Sequence, residues 1–184
     1  MKFADRVLQN WRIRKARPYI PQNARVLDIG CGDGALFKAL NGTLAEGIGI
    51  DPELTRSEKS ARYQLIAGYF PQDLPTAAPF DAITMLAVLE HIPRNLQKQW
   101  ASDCARCLKP GGHLIITVPS PQVDAILDVL TKLKIIDGMS LEQHYGFEAK
   151  QTPRIFEPEL KLIKAATFQL GLNNLFVFQK PIQR

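Results

Sequence analysis

The sequence predicts an α/β domain in which a largely parallel sheet carries helices on both faces. Three observations point there. Short apolar runs alternate with amphipathic stretches along most of the chain, and that alternation builds βαβ units. The first run ends in a glycine turn that opens a helix, VLDIGCGDGALFKAL, from Val26 to Leu40. The tail holds two short apolar stretches about an Asn-Asn pair, which reads as a closing hairpin. With 184 residues, 46% apolar and 22% charged, the chain fits one domain of ordinary globular composition.

Taken in order, Phe3, Ala4, Val7, Leu8 and Trp11 recur at helical spacing, and this helix should end before Pro18. RVLDIG is a buried strand. ALFKAL is a helix stopped by Asn41-Gly42. EGIGID is a second strand, and YQLIA, between Ser60 and Gly68, a third. FDAITMLAVL is a fourth. LQKQWASDCARCL is an amphipathic helix, LKPGG a turn, and HLIITVP a fifth strand stopped by Pro119. Pro121 to Ile136 reads as a helix, followed by an irregular piece to Phe156. PELKLIKAA reads as a final helix, and Asn173-Asn174 as the hairpin turn.

Three cysteines, an odd number, argue against a disulfide framework and for a reducing compartment. No signal-like apolar core opens the chain, and no run approaches the ~18–20 apolar residues of a membrane span. A cytoplasmic protein is expected. The net charge of +5 is compatible with an anionic partner without demanding one.

Ligands of such sheets bind beyond the carboxyl ends of the strands, where the Gly30 turn falls. Gly30, Gly32 and Ala35 formally match the dinucleotide fingerprint G-x-G-x-x-G/A. In that use a pyrophosphate rests on the helix N-terminus. Asp28 and Asp33 would then face an anion, which like charge opposes. A cationic ligand reverses the sign. S-adenosylmethionine, with a sulfonium, an ammonium and no phosphate, suits two carboxylates beside a glycine turn. A sharp turn with no ligand is the structural alternative.

VLDIGCGDG resembles the first motif of the class I S-adenosylmethionine-dependent methyltransferases. GIGID resembles the second motif, and MLAVLEHIP and LKPGGHLIITVP resemble the fourth-strand and fifth-strand motifs of small-molecule members related to those of quinone biosynthesis. The resemblance spans about Arg25 to Pro119. It implies a Rossmann-like, seven-stranded, mostly parallel sheet with helices on both faces and a C-terminal antiparallel hairpin. It also implies S-adenosylmethionine as cofactor. Asp28 would hold the methionine ammonium, and Gly30, Cys31 and Gly32 would line the methionine with backbone. Asp51 would bind the ribose, Pro52 or Glu53 would border the adenine, and Leu86 and Ala87 would meet the sulfonium end. In AGYFPQDLP, Tyr69 or Phe70 falls where the family often has an adenine-binding acid. Phe70 either stacks on adenine or belongs to the core, and Asp73 is a candidate substitute for the acid.

Other residues have ordinary readings beside the sharper ones. Cys104 and Cys107 have C-x-x-C spacing but no second pair, and a structural zinc needs four ligands, so no metal is expected. His91 either touches ligand or caps a helix. Arg6, Arg12, Arg14, Lys15 and Arg17 make the first helix basic. That is a solvated face, or else a contact with an anionic acceptor or lipid surface.

The expectation is methyl transfer to a small-molecule acceptor within one domain, 1–184, whose first 20 residues form an N-terminal helix. The rivals are a protein or nucleic-acid methyltransferase of the same fold and a non-catalytic S-adenosylmethionine-binding partner subunit. Nucleic acid is not expected, because no recognition domain and no Asn-Pro-Pro-Tyr type motif is present. Residues 120–156 are far longer than the ~2–6-residue loops of ordinary crossovers and are expected to cap the acceptor pocket. Within them His144, with a suitable unperturbed pKa, and Tyr145 are the candidate catalytic residues.

Overall fold

The computed structural model describes residues 3–75, 79–120 and 148–182. Eight strands form one sheet in the order β3-β4-β2-β1-β5-β6-β8-β7. Its parallel centre is β4 (Tyr63–Ala67), β2 (Leu44–Asp51), β1 (Ala24–Ile29), β5 (Phe80–Leu86) and β6 (Leu108–Pro119). β8 (Asn173–Gln179) pairs antiparallel with β6, and β7 (Lys161–Phe168) antiparallel with β8. Six of the seven expected strands fall where the sequence placed them, and the seventh, the first strand of the closing hairpin, is β7, upstream of the stretch expected. The eighth, β3 (Glu58–Lys59), is a two-residue exposed piece pairing antiparallel with β4, too short for any periodicity to show.

Alternation along each strand sends side chains to two cores. On one face α1 (Phe3–Ala16) and α2 (Ala35–Ala39) pack Ile13, Ala16, Leu36 and Phe37 against Val26, Ala82, Ile115, Leu175 and Val177. On the other, α3 (Arg94–Cys107) and α4 (Thr152–Phe156) pack Ala101, Cys104 and Phe156 against Ile83, Ile116 and Phe178. From β1 the chain moves to β2 and β4 on one side and returns to β5 and β6 on the other. The ligand crevice of an open α/β sheet lies at such a reversal.

Three sequence expectations are corrected. The predicted last helix, PELKLIKAA, is edge strand β7, and the last described helix is α4. Leu, Lys and Ala favour helices, but pairing with β8 prevails, and exposed Lys161 and Lys164 suit a sheet edge. The hairpin turns at Gln169–Leu172, not at Asn173-Asn174, which open β8. The fourth strand ends at Leu86. Ala87 is left-handed (φ 61), and residues 89–91 form a 3-10 turn.

α1 is tied to the sheet near its C-terminal end, where the Tyr19 carbonyl lies 2.9 Å from Nδ1 of His113, at the base of β6. Seven residues earlier, Arg12 feels the charge of Glu90, just past the top of β5. The N-terminal half of α1 therefore stands at the ligand edge. Arg12 is not on the solvated basic face, as its position among the arginines suggested: burial lowers its pKa, against the pull of Glu90 and Asp5. Arg6, Arg14, Lys15 and Arg17 are exposed. No helix among the described residues is long and apolar enough to cross a membrane.

Candidate functional site

β1, β2 and β5 end side by side at the reversal, and their last residues build the site. Gly30 leaves β1 with φ +74, its N–H bonded to the Ile50 carbonyl at 2.9 Å. A Cβ there would sit 2.3 Å from Cγ2 of Val88, so the position is closed to any side chain on both counts. Gly32 (φ +48) is different: a Cβ there would meet nothing within 4 Å. The backbone at Gly32 is thus accessible from outside, as a ligand pressed onto the turn requires.

Asp28 sits on the α1 face of β1, 3% exposed. The Thr84 hydroxyl, directly opposite on β5, donates to its Oδ1 at 2.6 Å. Burial pushes the Asp28 carboxyl up to about 7. The Thr84 bond pulls it down, and the charge of Asp51 pushes it up again. Asp51 ends β2 with both oxygens engaged: Gly32 N–H donates to Oδ2 at 2.8 Å and Glu53 N–H to Oδ1 at 2.9 Å. The second strand's terminal acid and the first strand's glycine turn are thereby one unit.

The field at the turn is negative. The Cys31 thiol is pushed well up, first by burial and then by Asp28, Asp51 and Asp33, so it is no nucleophile. Cys31 is buried, and a Cβ at Gly49 would lie 2.7 Å from its Sγ. Its side chain is packing, while its backbone lines the turn.

The structure brings Asp28, Gly30, Cys31, Gly32 and Asp51 together, with Leu86, Ala87 and His91 half-buried at the end of β5. The Ala87 N–H bonds the Thr117 carbonyl at 2.9 Å, and the His91 N–H the Val88 carbonyl at 2.9 Å. Pro52 is exposed beside Asp51. Two residues depart from expectation. Asp33 points to the surface and pairs with Lys38 at 3.3 Å, so the second carboxylate flanking the turn is Asp51. Phe70 is 4% exposed and packs edge-on against Trp100, ring centroids 5.2 Å apart; it belongs to the core. Asp73 closes its own turn by accepting from Tyr69 N–H at 2.8 Å. Thr84 is the residue that sequence reasoning missed. It lies in an apolar run, and only the register of β1 on β5 discloses its partner. His144 and Tyr145 lie outside the described residues. The described end of the expected cap, 149–156, packs on the α3 face through Phe156. Among the described residues no group of side chains suits a metal ion.

Ala87 carries strain, since a left-handed alanine costs ~1–2 kcal/mol. Ala87→Gly is expected to raise stability by about 1 kcal/mol net of the greater freedom of unfolded glycine. A lowered melting temperature would show that the methyl group makes a packing contact of greater value.

Residues 2–162 match a family described as methyltransferase domain. The ubiquinone biosynthesis O-methyltransferase of Thiobacillus denitrificans is 38% identical over 105 residues, 50% of this chain and 43% of that protein. The enzyme of the same name from Xanthomonas campestris is 39% identical over 111 residues, 55% and 45% of the two chains. The chain thus spans less than half the length of these curated relatives. In fold, the N-methyltransferase NodS from Bradyrhizobium japonicum superposes with a TM-score of 0.67 at 16% identity, over 96% of this chain and 98% of that one. The match over 2–162, most of the chain, shows that it belongs to the methyltransferase domain family.

Proposed function

We propose that the chain transfers a methyl group from S-adenosylmethionine to a small-molecule acceptor. One observation carries the reading: two carboxylates, Asp28 and Asp51, flank a glycine turn whose Gly32 face is open. A phosphate would meet a negative field there, whereas a cation relieves the repulsion between the two acids. The donor set suits an ammonium at Asp28, a diol at Asp51 and a sulfonium near the end of β5.

When bound, the cofactor supplies an activated methyl on a good leaving group. The chain's own work is orientation, worth ~7–11 kcal/mol in favourable cases. Asp28, held by Thr84, fixes one end. Asp51, braced by two backbone N–H groups, fixes the other. The left-handed Ala87 ends β5 and sets the floor beside which the acceptor must lie. The same proposal gives residues 120–156 the role of a cap, entered at Ser120 beside the hairpin turn, with His144 and Tyr145 available for proton transfer. Three free cysteines support residence in a reducing compartment such as the cytoplasm.

S-adenosylhomocysteine at about 100 times its dissociation constant is expected to stabilise the protein by ~2.7 kcal/mol. That raises Tm by roughly 5–11 °C; NADH at the same concentration leaves Tm unchanged. A shift with NADH and none with S-adenosylhomocysteine overturns the reading.

A further inference from the structure

In the methyl-transfer reading the cofactor has a direction across the sheet. Its sulfonium lies near the end of β5, its ammonium at Asp28 on β1 and its diol at Asp51 on β2. The strands stand in the order β5, β1, β2, β4 at this edge. A nucleoside carries its base on the ribose carbon remote from the one that bears the sulfur. The base therefore continues past β2 to the end of β4, one strand spacing of ~5 Å further on. There Ala67 pairs with Asp51, and the Gly68 N–H donates to the Asp51 carbonyl at 3.2 Å. Tyr69 is the next residue.

Tyr69 is 66% exposed, the most exposed aromatic side chain among the described residues. Its backbone is braced on both sides. The Tyr69 N–H donates to Asp73 Oδ2 at 2.8 Å, and the Asp73 N–H donates to the Tyr69 carbonyl at 2.9 Å. Asp73 also packs close to the strand end: a Cβ at Gly68 would lie 2.6 Å from the Cβ of Asp73. On the other side Phe70 is buried in the core against Trp100. A single exposed apolar side chain is ordinary. Tyr69 differs in its place: fixed neighbours hold its ring out of the core at the ligand edge, beside the acid that takes the ribose. The nearby carboxylate of Asp73 is turned back onto the Tyr69 N–H, so contact with a flat base falls to the ring.

We infer that the ring of Tyr69 stacks on the purine of the cofactor. The inference rests on the methyl-transfer reading above and adds a binding residue to that site. The contact is with the face of the base and not with its amino group. Aromatic rings suit this use because every base has a π-face and the ring is rigid. The loss of one such stack weakens binding by ~5–150-fold.

The test is calorimetric titration with S-adenosylhomocysteine. Tyr69→Ala is expected to bind it ~5–150-fold more weakly, whereas Tyr69→Phe, which keeps the ring, holds the wild-type affinity. S-ribosylhomocysteine carries a hydroxyl where the purine was, and the wild type and Tyr69→Ala are expected to bind it alike, because the partner of the ring is gone. The Tm of unliganded Tyr69→Ala should match the wild type, since an exposed ring contributes little to the fold. Wild-type affinity of Tyr69→Ala for S-adenosylhomocysteine overturns the inference. So does a Tyr69→Phe variant as weak as Tyr69→Ala, which would make the hydroxyl the contact. An equal loss with S-ribosylhomocysteine, or a lowered Tm, would make the ring a brace for the ribose turn and overturns it too. Failure of the wild type to bind S-adenosylhomocysteine is a separate result and removes the underlying reading.

Discussion

Asp28→Asn is expected to be more stable than the wild type above pH 7 and to bind S-adenosylmethionine poorly. In the folded protein the Asp28 carboxyl is raised to about 7, chiefly by burial; unfolded, it titrates near ~3.9. A raised pKa means that the neutral form contributes stability fully present below pH ~4 and lost as pH rises through ~7. Above that pH the wild type has given up as much as ~4 kcal/mol. Asparagine keeps the shape and an oxygen for the Thr84 hydroxyl, yet cannot ionise. The difference in stability between variant and wild type, measured by urea denaturation from pH 4 to 8, should therefore grow with pH. The cofactor ammonium loses its carboxylate, weakening affinity by ~10–100-fold. Wild-type binding near pH 7 releases part of a proton, seen by calorimetry in buffers of different ionisation enthalpy, whereas the variant releases none. A variant less stable than the wild type at pH 8 would show that Asp28 is not held in a desolvated site.

Phe156→Ala is expected to lower stability by ~3–5 kcal/mol, a large part of the ~5–15 kcal/mol a domain has. Phe156 is fully buried, its ring 5.3 Å from that of Phe178, and it holds α4 to the face opposite Asp28. The melting temperature should fall by roughly 6–20 °C. S-adenosylhomocysteine affinity at low temperature should stay within a factor of a few. A loss below 1 kcal/mol would mean that α4 is not docked.

Much of this was legible in the chain, and the unread parts have physical causes. Strands β1, β2, β5 and β6 are buried on both faces, so their apolar runs are nearly continuous and bounded by glycine or proline. The Gly30 turn and the Asp51 strand end announce themselves by residue type. β7 could not be read this way: an edge strand needs only one paired side, and its exposed lysines and alanines look helical until β8 claims them. Asp33 misled because its nearness in sequence to Gly32 does not decide direction; Lys38, five residues on, draws it outward. Phe70 was open between ligand and core, and the indole of Trp100 decides it. Thr84 owes its meaning to cross-strand register, which no local window contains.

The bond between Thr84 and Asp28 joins residues 56 positions apart. While the chain is being made, β1 and the Gly30 turn emerge long before β5 exists to complete them. Until then Asp28 is an ordinary solvated acid, with neither its hydroxyl partner nor its dry surroundings. The order of the sheet thus schedules the site: the cofactor turn is written early and becomes competent only once β5 has closed on β1. Closing so long a loop is slow relative to local helix formation, so a ligand that requires Asp28 buried reports on the completed sheet and is blind to its fragments.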